Sequence, residues 1–61
     1  MDIVARINEM YGYTAERIKY GYQEVEMIRV KGKSNTAIYP SSMLVGETLI
    51  DLKRMFEKHI G

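Results

Sequence analysis

The segment from Ser42 to Ile60 constrains the fold more than any other, because it is the longest stretch of this 61-residue chain with a single hydrophobic period. At about 100° per residue, Val45, Leu49, Leu52, Phe56 and Ile60 fall on one helical stripe, with Thr48, Met55 and His59 on its flank. Glu47, Asp51, Lys53, Arg54, Glu57 and Lys58 take the opposite side. A stripe of this kind persists only when other elements cover it. Ser41 and Ser42 are the expected N-caps, and Pro40 separates them from what precedes. Gly46 costs about 1 kcal/mol in a helix interior relative to alanine. Thr48 with Asp51 offers a later capping box, so the regular helix is expected to begin near Glu47.

The chain is one domain, residues 1–61, with room for a single small core near the lower size limit for independent folding. It has no cysteine, so neither a disulfide nor a thiolate metal site adds stability. A marginal core without a staple predicts help from a second chain, most simply a homodimer. The formal net charge of +1 argues against a strongly basic nucleic-acid binder and against a polybasic membrane anchor. No apolar run approaches the roughly 18 residues of a membrane span. Met1-Asp2 lacks both the basic start of a signal peptide and the glycine of a myristoylation site. The expected location is the cytoplasm, with no membrane partner.

Met1 to Tyr11 reads as a short amphipathic helix with Ile3, Val4, Ile7, Met10 and Tyr11 on its apolar side, Asp2 as N-cap and Gly12 as terminator. Tyr13 to Tyr22 admits two readings. As a helix it has Thr14 as N-cap and Gly21 as stop. As a strand it turns at Gly21-Tyr22, which pairs Tyr20 with Gln23, Lys19 with Glu24, Ile18 with Val25 and Arg17 with Glu26. The strand satisfies more side chains and is preferred. Val25 to Val30 alternates β-branched residues, and Gly32-Lys33-Ser34-Asn35 turns the chain into Thr36–Tyr39, which ends at Pro40.

These stripes predict an α+β fold in two layers: an N-terminal helix, a three-stranded antiparallel meander and a longer C-terminal helix. Ile18, Tyr20, Val25, Met27 and Ile38 are expected to lie under the helices. Arg17, Lys19, Glu24 and Glu26 are expected on the other face, together with Ile28 and Val30. Tyr11 and Tyr20 are assigned to the core.

Little in the chain points to catalysis, and the expectation is a protein without enzymatic activity, cofactor or metal. Gly32-Lys33-Ser34 matches the end of a phosphate-binding P-loop, but the second glycine that motif needs five positions earlier is Met27, and the loop closes a hairpin instead of opening a helix. His59 is the single histidine and lacks an evident nucleophile or fellow ligand. Its place in the last helical turn suits an imidazolium at the helix C-terminus. Asp51, Glu47 and Glu57 spread around the polar side of the helix without converging.

Two binding readings follow. Apolar residues at positions that the fold leaves outside, Ile28 and Val30 on the uncovered sheet face and Met43 and Ile50 on the outer line of the last helix, suggest a protein-binding surface, an adaptor, regulator or inhibitor of another protein. The chain's five tyrosines and five methionines suit adaptable interfaces. The alternative is a nucleic-acid-binding module using Arg17, Lys19, Arg29, Lys31 and Lys33, with tyrosines as stacking platforms. Glu24 and Glu26 on the same strands offset that potential.

Overall fold

The computed structural model describes residues 2–60 and has the expected α+β architecture in two layers. Its elements are α1 (Ile3–Asn8), β1 (Thr14–Tyr20), β2 (Val25–Lys31), β3 (Thr36–Pro40), a single turn α2 (Ser41–Leu44) and α3 (Leu49–His59). The strands form one antiparallel sheet in the order β1-β2-β3. The stretch from Tyr13 to Tyr22 therefore holds a strand, Thr14–Tyr20, and not a helix.

The long C-terminal segment is broken where its sequence weakens it. Gly46 takes φ +95°, Val45 is extended, and α3 starts afresh at a new cap. That cap is Thr48, whose Oγ1 accepts the Asp51 N–H at 3.2 Å while its hydroxyl donates to the Asp51 carboxylate at 2.9 Å. Ser41 and Ser42 lie inside α2, with Pro40 in the N-cap place and no side-chain cap. Leu52, Phe56 and Ile60 are buried as the stripe requires, but Val45 and Leu49 lie before or at the start of α3 and are exposed.

The N-terminal helix is shorter than its periodicity suggests, and its expected first residue, Met1, lies outside the described residues. Asp2 holds the N-cap position, yet its carboxylate leaves the helix to pair with Arg17. At the other end the Met10 N–H bonds the Ile7 carbonyl, which tightens the chain out of the α-helix, and Tyr11-Gly12 turns it toward β1 with Gly12 at φ +90°. Tyr11 is left 92% exposed and belongs to no core.

The strand register and the choice of sheet face both differ from expectation. Tyr20 pairs with Val25, Lys19 with Glu26, Ile18 with Met27 and Arg17 with Ile28. The turn thus holds four residues, Gly21 to Glu24, with the Glu24 N–H bonding the Gly21 carbonyl and Glu24 itself at φ +52°. A slip of two residues preserves the faces, and Arg17 still reaches Glu26 diagonally at 3.2 Å.

The helices cover the face opposite to the one expected. Ile28 and Val30 are fully buried in the core beside Ala15 and Tyr39, so they are not part of an exposed surface. The reason lies in the rows where all three strands run side by side. On the covered side those rows read Ala15-Val30-Ala37 and Arg17-Ile28-Tyr39; on the other they read Thr14-Lys31-Thr36, Glu16-Arg29-Ile38 and Ile18-Met27-Pro40. The first set is the more apolar, and its two alanines leave space for helices to approach. Ile3 and Ile7 of α1, Leu44 of α2 and the α3 stripe complete the core. Phe56 joins the layers, with ring centroids 5.2 Å from Tyr13 and 5.7 Å from Tyr39. Gly32 lies against Ile60, where a Cβ would overlap the isoleucine side chain.

Candidate interaction surfaces

The sheet face left open by the helices is the first candidate. Alternation places Ile18, Tyr20, Val25, Met27 and Ile38 on it, the residues expected inside. Ile18 and Met27 are cross-strand partners and half-cover one another, while Val25, Ile38 and Tyr20, the last 62% exposed, face outward. At the far end of the same face Glu16 and Arg29 pair with each other, between Thr14, Lys31 and Thr36. The surface is thus apolar at the β1–β2 turn end and polar at the other.

Both edges of the sheet are blunted in part. The Asn8 carboxamide accepts the Ala15 N–H at 2.8 Å and donates to the Ala15 carbonyl at 3.1 Å, so one side chain occupies the outward groups of Ala15 as a neighbouring strand would. In an antiparallel ladder alternate residues turn outward, which leaves Arg17 and Lys19, both charged, on the rest of that edge. By the same alternation Thr36, Ile38 and Pro40 face outward on β3, and of these only proline has no N–H to offer.

A groove on the helix side is the second candidate. It encloses about 430 Å³ between the α1–β1 connection, which contributes Met10, Tyr11, Gly12 and Tyr13, and α3, which contributes Leu49, Ile50, Lys53 and Glu57. Lys33 enters from the β2–β3 turn, its Nζ 6.0 Å from the Tyr11 ring centroid. Ile50 is 66% exposed here. Met43 is exposed as well but lies on α2, outside the groove.

The five basic residues considered for nucleic acid do not share a surface. Arg17 and Lys19 lie on the helix-covered side of β1, Arg29 and Lys31 on the open side of β2, and Lys33 beside the groove. Arg17 is paired with Asp2 and Glu26, and Arg29 with Glu16. These pairs are solvent-exposed and each is worth about 0–1 kcal/mol, so they place side chains more than they hold the fold.

The Tyr39 hydroxyl is buried and has no hydrogen-bond partner among the described residues. Burial first, and the neighbouring Tyr13 second, raise its pKa above the ordinary phenol value. Among the described residues no three histidine or acidic side chains cluster as metal ligands, and no helix is long and apolar enough to cross a membrane. No protein family's model matches the chain, and neither a curated protein nor a solved structure matches it.

Proposed function

We propose that this chain is a non-enzymatic protein-protein interaction module that pairs with a second copy of itself through the open sheet face, in the cytoplasm. The observation that carries the reading is the contiguous apolar set Ile18, Tyr20, Val25, Met27 and Ile38 on a face that no element of the described chain covers. Blunted edges favour stacking face to face over adding strands side by side.

Size sets the strength of such a pair. Three strands about 4.8 Å apart and seven residues of about 3.3 Å give a flat footprint of roughly 300 Å². That is well below the ~800 Å² per partner of a standard interface, so the dimer is expected to dissociate on dilution into the micromolar range. Sedimentation velocity from roughly 1 to 100 μM tests this: a rising weight-average coefficient is expected, and Met27→Lys should abolish the rise. A coefficient that stays at the monomer value throughout, or a dimer indifferent to Met27→Lys, would overturn the assignment of this face.

A further inference from the structure

We propose that the groove between the α1–β1 connection and α3 is a docking site for an amphipathic helix of another protein, one that carries a carboxylate between its apolar turns. The proposal rests on reading the chain as a protein-binding module, and it assigns a second surface, separate from the open sheet face. Leu49, Lys53 and Glu57 recur every fourth residue along α3 with Ile50 beside them, so this wall runs about 12 Å at 1.5 Å per residue. Two turns of a partner helix match that length.

The lining is of the kind that anchors partners. Tyr11, Tyr13, Leu49 and Ile50 present aromatic and aliphatic surface, and Tyr11 and Ile50 are the most exposed of them. Neither of these two side chains belongs to the core of the described chain. The occupant is helical because the groove is built on a helix and two connections, and none of its lining residues belongs to a strand. An extended segment would find no ladder there for its backbone groups, whereas a helix satisfies its own.

Charge selects the partner further. Lys33 and Lys53 reach the groove from opposite walls, neither of them in an ion pair among the described residues, and Glu57 stands at one end. Two ammonium groups against one carboxylate favour an acidic side chain at the middle of the bound helix and disfavour a basic one.

The test uses isothermal titration calorimetry on the full chain at low ionic strength. One probe is an unlabelled helical peptide of about four turns with Leu at i, i+3, i+4 and i+7 and Glu at the flanking positions; its counterpart carries Lys in place of each Glu. The acidic peptide is expected to bind at least about tenfold more tightly than the basic one. Ile50→Glu should weaken the acidic peptide about tenfold, and Lys53→Glu should narrow or invert the preference between the two. Both positions are exposed, so both variants should keep the parent melting curve. Equal binding of the two peptides, no heat with either, or full affinity in Ile50→Glu would overturn the proposal. Met27→Lys separates the two surfaces: it should alter sedimentation and leave peptide affinity unchanged, and loss of peptide binding in that variant would move the peptide to the sheet face and reject the groove.

Discussion

The two faces of the sheet are built from the same three strands and differ in what surrounds their apolar residues. Ile28 and Val30 on the covered side are fully buried, flanked by Ala15 and Ala37, which let α1 and α3 approach. Met27 and Val25 on the open side are as apolar, but the neighbouring rows of that face carry Glu16, Arg29 and Lys31, and no element of the described chain settles on them. Apolar character alone therefore does not choose the inside. The choice falls to the whole face, all its rows together, and the small residues Ala15 and Ala37 count as much as the large ones.

The sharpest way to break this contrast is a pair of alanine variants on adjacent residues of β2. Ile28→Ala should cost about 2–5 kcal/mol in urea denaturation, a large share of the stability of so small a domain. Met27→Ala should cost less than about 1 kcal/mol at concentrations where the chain is monomeric. Equal costs would mean that the open face is covered even in the monomer. Next in size is Asn8→Asp, which removes the donor to the Ala15 carbonyl and sets a carboxylate beside it. A loss of about 1–2 kcal/mol is expected, with faster amide exchange along β1.

Tyr39→Phe is expected to work in the opposite direction. It deletes the covered face's buried, unpartnered hydroxyl and should stabilise by up to about 1 kcal/mol. It also carries a pH signature. The folded state holds the Tyr39 proton more tightly than the unfolded chain, so the stability linked to it is present below the unfolded pKa of about 10 and is lost as pH rises through the higher folded value. Denaturation midpoints compared between neutral and alkaline pH should fall less in Tyr39→Phe than in the parent. The smallest effect belongs to the turn that sets the register. Glu24→Gly relieves a left-handed backbone at φ +52° and should raise stability by roughly 0.5–1 kcal/mol, read from the thermal midpoint.

The C-terminal helix was legible because its signals agree: the Leu52, Phe56 and Ile60 stripe, the Thr48–Asp51 cap and the break at Gly46 all describe one element. The order of elements was legible for the same reason. The sheet face was not, since Val25 and Met27 on one side of β2 and Ile28 and Val30 on the other make the strand apolar on both. Register was hidden by a turn that needs Glu24 in a conformation usually given to glycine, a preference no propensity would assign. Of the surface residues, Ile50 could be found from the helical period; Met43 lies on the separate turn α2, and Tyr11 falls inward only on a period that runs past the end of α1 at Asn8. The signal was Asn8 itself, a residue that prefers to bond backbone outside a helix.

The contact between Asn8 and Ala15 also bears on how large an assembly this chain can form. Strands added head to tail, β1 of one copy against β3 of the next, make a ladder with no natural end, because each new copy presents a fresh edge. Two faces stacked about a twofold axis consume one another, and the count stops at two. The Asn8 carboxamide on Ala15 and the missing N–H of Pro40 each remove a strand-pairing site, so both work against the open ladder and leave the closed pair proposed above the less obstructed route.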